Sequence, residues 1–127
     1  MPRHVLTLDL RDDDQAVAAY RTHHAAIWPA VADSLKASGI RNLSIYLLGR
    51  RLVMIADVRE GVDLRQAFAA HHASPDPQVQ EWERLMKSFQ QPPPGAREGE
   101  WWALMEPVFD LSQTEPLAAA TDRVPGP

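Results

Sequence analysis

Leucine recurs at every second position in Leu6, Leu8 and Leu10, with Val5, Thr7 and Asp9 between them, an alternation that predicts a strand over 4–10. Asp12, Asp13 and Asp14 then supply cap and dipole charge for a helix whose apolar and aromatic positions include Ala16, Val17, Tyr20, Ala25, Ile27 and Trp28. Pro29 interrupts it. A residue preceding proline is disfavoured in helical dihedrals, so two pieces are expected, roughly 14–26 and 29–37, with Gly39 ending the second. Alternation returns over 40–48, where Leu43, Ile45 and Leu47 oppose Asn42, Ser44 and Tyr46, and Gly49-Arg50 makes a tight connection to a partner strand over 51–58. A further helical stretch is expected from Gly61 through Ala70, then a break at Ser74-Pro75-Asp76-Pro77 and a helix over 78–89. In that last helix Val79, Trp82, Leu85, Met86 and Phe89 fall on one face at spacings of three and four. After a Pro92-Pro93-Pro94-Gly95 loop, Trp101 to Leu111 reads as a final strand, with Pro107 suited to an edge or a bulge.

The order strand, helix, strand, strand, helix, strand is that of an α+β ferredoxin-like sandwich (β-α-β-β-α-β), an antiparallel sheet with helices on one face. The other face also needs cover, and the sheet of a second copy would provide it, giving a dimeric α/β barrel and a homodimer. Residues 1–111 are expected to form this single domain, and 112–127, rich in Ala, Pro and Thr without periodicity, a flexible tail or dimer arm.

Composition narrows the function classes. The formal net charge is −4, and the 13 Lys and Arg residues are scattered, Arg50-Arg51 being the only adjacent pair. Without a basic stripe to neutralise phosphates, neither a nucleic acid nor an anionic membrane is expected as partner. The chain has no cysteine, which excludes disulfide staples, thiolate zinc sites and cysteine nucleophiles. No apolar run resembles a signal peptide or is long enough to span a bilayer, so a cytoplasmic location is expected.

The histidines His4, His23, His24, His71 and His72 are the ready proton carriers near neutral pH. A metal site is not expected: neighbouring helical histidines point about 100° apart, and no HExxH pattern occurs. His71-His72, beside the Ser74–Pro77 break, reads as a solvated helix end. Tyr20 and His24 differ, because a separation of four puts a phenol and an imidazole one turn apart on one helix face. Trp28 continues that stripe if the helix reaches it. Periodicity alone reads the stripe more readily as a core-facing helix side with a satisfied histidine than as a site. Trp82 and the Trp101-Trp102 pair are either core or flat surfaces on which a sugar ring stacks, and one of the adjacent pair is expected in the core. No Gly-x-Ser-x-Gly elbow, dinucleotide fingerprint or Walker-type loop is present.

The run Tyr20-Arg-Thr-His-His24-Ala-Ala-Ile-Trp28-Pro29 resembles the signature helix of the L-rhamnose mutarotase family. The likeness continues through Gly39 to Leu47, Trp82 to Met86, and Glu106 to Leu111, so it covers most of Arg3 to Leu111. The resemblance implies a dimeric ferredoxin-like fold, no metal and no organic cofactor, and interconversion of the α and β anomers of a deoxy-hexose. It makes His24 the catalytic proton donor, delivering to the ring oxygen, and implies that Tyr20 and Trp82 contact the monosaccharide. Tyr46 is a further candidate contact. Two positions depart from the pattern expected of rhamnose enzymes: Leu43 stands in place of a substrate-binding tyrosine, and Glu83 in place of a second tryptophan. L-fucose is therefore an alternative to L-rhamnose. Two other classes fit the fold, a cofactor-free monooxygenase and a non-catalytic sugar-binding or interaction module, since architecture alone does not fix function.

Overall fold

The computed structural model describes residues 3–113; the expected tail, apart from Ser112 and Gln113, lies outside the described residues. The chain runs β1 (Arg3–Leu10), α1 (Asp14–Ala25), α2 (Pro29–Ala37), β2 (Ile40–Leu48), β3 (Arg51–Val58), α3 (Leu64–His72), α4 (Pro77–Phe89), β4 (Gln90–Gln91) and β5 (Ala103–Leu104), with a short 3-10 turn at Leu111–Gln113. Each helical slot of the expected sandwich is thus filled by two helices. Local chemistry sets the breaks. Asp13, Asp63 and Asp76 cap α1, α3 and α4, their carboxylates accepting from the backbone N–H of Gln15, Gln66 and Gln78. Pro29 and Pro77 occupy the first helical positions of α2 and α4, where no intrahelical donor is lost. Gly39 ends α2 at φ 109°, and a Cβ there would meet Val62 Cγ1 at 2.9 Å, so glycine is required twice over. Gly61 does not open α3 as expected. Its φ of 81° is incompatible with a helix, which instead starts at Leu64 and runs on to His72.

The sheet is antiparallel in the order β2-β3-β1-β4, with β5 also on β1. The fourth strand differs from the expected Trp101–Leu111. It is split: β4 pairs Gln91 with Asp9, β5 pairs Ala103 with Thr7, and residues 92–102 loop out between these neighbouring rungs of β1. Continuing the β5 register places Pro107 opposite Arg3, where β1 begins and where proline has no N–H to give. The ladder therefore stops after the bond from Met105 N to Val5 O, and Val108, Phe109 and Leu111 are exposed.

Alternate residues of each strand face the helices. Leu6, Leu8 and Leu10 of β1 and Leu52, Met54, Ala56 and Val58 of β3 are buried there against Tyr20, Val31, Val79, Trp82 and Met86. The opposite parity, including Tyr46, Leu48, Val53 and Ile55, lies on the sheet face that none of the described helices covers. Among the described residues no helix is long and apolar enough to cross a membrane.

Candidate active site

Helix α4 packs against both α1 and α3, and its neighbouring residues Trp82 and Glu83 turn to different sides. Trp82 meets α1 and Glu83 meets α3. A cleft of ≈ 830 Å³ runs along both sides, floored by Leu6, Leu43, Ile45 and Met54 and bordered by the 92–102 loop through Arg97, Trp101 and Trp102. This is the size of small-molecule sites in general. The loop, rather than a strand, carries both tryptophans, so both are half-buried and both border the cleft instead of pointing to opposite faces.

On the α1 side Tyr20 and His24 stack with ring centroids 4.0 Å apart and planes 24° from parallel. The Trp82 indole stands edge-on to His24 at 5.3 Å and to Trp28 at 5.1 Å. His24 Nδ1 lies 2.9 Å from Tyr20 O. A carbonyl only accepts, so Nδ1 must carry the proton and Nε2 the lone pair, for which the described residues show no hydrogen-bond partner. Burial holds the His24 pKa below the ordinary imidazole value, the bond to Tyr20 O opposes that, and neighbouring His23 adds to it. His24 is therefore neutral at pH 7. Tyr20 is 3% exposed, and among the described residues its hydroxyl makes no well-formed hydrogen bond, the Gln90 side chain being the polar group beside it. Burial raises its pKa well above that of a free phenol; Gln90, nearby, opposes the rise, and Glu83 adds to it. Gln90 Oε1 also accepts from Trp101 Nε1 at 2.8 Å. A buried unpaired hydroxyl costs roughly 1–3 kcal/mol unless something completes it. Here the group lines a cleft with a stacked, neutral base beside it.

The structure thus brings Tyr20, His24 and Trp82 together at one cleft. Tyr46 is not brought there. On β2 it has the opposite parity from Leu43 and Ile45, is 61% exposed, and sits on the uncovered sheet face. His23 turns away from the cleft, with Nδ1 2.8 Å from Ala19 O and its ring against Trp82 and Phe89.

The α3 side corrects the expectation of a solvated helix end for His71, while His72 is 54% exposed in its side chain as expected. His71 is 3% exposed, with Nδ1 2.8 Å from Ser34 Oγ and Nε2 3.2 Å from Glu83 Oε2; His72 Nε2 lies 2.7 Å from Glu83 Oε1. Burial acts to raise the Glu83 pKa, but hydrogen bonds from the two histidines outweigh it and hold the carboxyl down at about 2. All three side chains border the cleft. One signal for this burial was present in the sequence: His71 continues the Leu64 and Ala67 stripe at helical spacing, the same face that α3 buries. The docking of α3 on α4, which brings Glu83 to it, had no local signal. Among the described residues no group of three or more His, Cys, Asp or Glu is placed to hold a metal ion.

A family model described as L-rhamnose mutarotase matches residues 3–111. An L-fucose mutarotase of Xanthomonas campestris is 42% identical over 115 residues, covering 89% of this chain and 90% of that protein. A Dictyostelium discoideum protein is 35% identical over 107 residues, 82% of this chain and 85% of its own length. Among solved structures, an L-rhamnose mutarotase of Formosa agariphila superposes with TM-score 0.60 at 21% identity, covering 87% of this chain and 99% of that one. The tetracenomycin F2 cyclase of Streptomyces glaucescens superposes with TM-score 0.51 at 16% identity, covering 91% and 100%, and shares the fold. With the family match spanning nearly all of its described residues, this chain belongs to the L-rhamnose mutarotase family.

Proposed function

We propose that His24 carries the proton in the anomer interconversion that this family performs, acting on a 6-deoxy-hexose bound in the cleft. The observation that carries the reading is the stacked pair of Tyr20 and His24, two residues that both line one cavity, with the His24 proton placed on Nδ1 by the Tyr20 carbonyl. Being neutral at rest, His24 acts first as acceptor, whereas the family likeness suggested first a donor. Nε2 takes the proton of the anomeric hydroxyl as the bond from C1 to the ring oxygen breaks and C1=O forms. The imidazolium returns that proton to the ring oxygen, leaving the open aldehyde. Rotation about C1–C2 and the same steps in reverse close the ring as the other anomer, so protons balance and none is consumed. Tyr20, kept protonated by burial, donates a hydrogen bond to the oxygen on which charge develops. Trp82 lends a flat apolar edge for the 6-methyl end of the sugar.

L-fucose is the proposed first substrate, supported by the 42% identity to a relative bearing that activity in its name, with L-rhamnose as the comparison. Saturation-transfer NMR of each sugar's anomers tests the mechanism. Wild type should accelerate exchange, and His24→Ala should return it to background with the fold retained, a loss of roughly 10²–10⁴-fold. Unchanged exchange would remove His24 from the mechanism.

A homodimer is part of the same proposal. Tyr46 and Leu48, 61% and 85% exposed, share the uncovered sheet face with Val53 and Ile55, an apolar surface that a second sheet would bury. Sedimentation at twice the chain's mass supports it, and Tyr46 then belongs to that interface.

A further inference from the structure

We propose that Glu83 is the residue that selects the sugar, its carboxylate accepting hydrogen bonds from two neighbouring hydroxyls of a monosaccharide in the cleft. The inference rests on the sugar-binding reading above and assigns the α3 side of the same site. Four observations carry it. Glu83 borders the cleft, together with His71 and His72. Each of its oxygens already holds one imidazole N–H, at 3.2 Å and 2.7 Å, so the carboxylate plane is fixed before any ligand arrives. Each oxygen keeps a second lone-pair direction, so the group still has acceptor capacity. His71 is itself braced by Ser34 Oγ at 2.8 Å, which makes the arrangement a built one rather than a loose surface pair.

A structural ion pair between α3 and α4 would need none of this exposure to the cleft, and burying charge to join helices gains little by itself. A fixed acceptor pair suits a different task. Sugar epimers differ in the direction of single hydroxyls, and a site built to bond a hydroxyl rejects the epimer that leaves its polar group unpaired far more strongly than apolar packing does. Being ionised and already bonded, Glu83 has no proton to deliver, which separates its part from that of His24. His71 and His72 are positioning residues that act through it.

The test uses methyl α-L-fucopyranoside and methyl α-L-rhamnopyranoside, which cannot open, so that binding is read apart from turnover. Dissociation constants are measured for wild type and Glu83→Gln, alongside KM and kcat for anomer exchange of the free sugars. The expected result is a rise of about 10-fold or more in Kd and KM for the sugar that wild type prefers, a narrowed preference between the two, and kcat within about two-fold. If Glu83→Gln does not fold, Glu83→Asp, which keeps the charge but withdraws it by one methylene, should show the same loss in smaller measure. Unchanged Kd and preference in a folded variant, with wild type active, would overturn the assignment of Glu83 while leaving the mutarotase reading intact. Wild type that binds the glycosides through Glu83 yet accelerates no exchange would uphold Glu83 and overturn the proton mechanism instead. Binding of neither glycoside by wild type would overturn both.

Discussion

On the α1 side of the cleft an imidazole stacks on a phenol and donates a hydrogen bond to a backbone carbonyl; on the α3 side two imidazoles close on one carboxylate. The residue type is the same and the consequences are opposite. Beside Tyr20, with no acidic partner, burial favours the neutral ring of His24 and leaves a lone pair free to take a proton. Beside Glu83, both nitrogens of His71 and Nε2 of His72 are committed, and the carboxylate they hold borders the cleft. What an imidazole can do here is decided by its partner. One side is suited to moving a proton and the other to recognising hydroxyls.

The sharpest disturbance of the α1 side should come from Trp82→Ala. This ring is 3% exposed and packs against both His24 and Trp28, so its loss should lower unfolding free energy by about 3–5 kcal/mol in urea titration and weaken sugar binding with it. A stable variant with unaltered affinity would remove Trp82 from both roles. Tyr20→Phe should cut enzymatic anomer exchange roughly 10-fold while leaving stability close to unchanged, because among the described residues the hydroxyl it removes makes no well-formed hydrogen bond. A drop in stability with exchange intact would reverse that assignment. The smallest effect is on pH dependence. Since the pKa of His24 is lowered from 6.5, the proton-accepting form persists below that pH, and catalysed exchange should stay level through neutrality and fall only on the acid side of 6.5. Tyr20, shifted upward from 10, should impose no loss below pH 10. A midpoint at or above 6.5 in the activity profile would show that His24 is not the neutral base described.

The two sides also differ in how far the chain spells them out. Tyr20 and His24 are four apart on one helix, and the Pro29 break, Gly39 stop and Gly49-Arg50 hairpin are equally local, so the 40–48 and 51–58 strands emerge with their observed bounds. Tyr46 could have been excluded from the cleft on strand parity, which sets it against Leu43 and Ile45. The final strand was illegible for another reason: Trp101 to Leu111 has strand-like residues, but where it pairs depends on β4 taking the adjacent rungs of β1 and on β1 ending opposite Pro107. Glu83 with its histidines is tertiary altogether. Nothing within α4 announces that α3 will lay His71 and His72 on that carboxylate.

The central claim is that His24 rests as a neutral ring protonated on Nδ1, with Nε2 open to a sugar. Nitrogen-15 NMR of the histidine side chains, titrated with pH and then with L-fucose, reads this directly. The account predicts an Nδ1–H tautomer for His24, a midpoint below 6.5, and a shift centred on Nε2 when sugar is added. An Nε2–H tautomer, or an Nε2 resonance indifferent to saturating L-fucose and L-rhamnose, would contradict it.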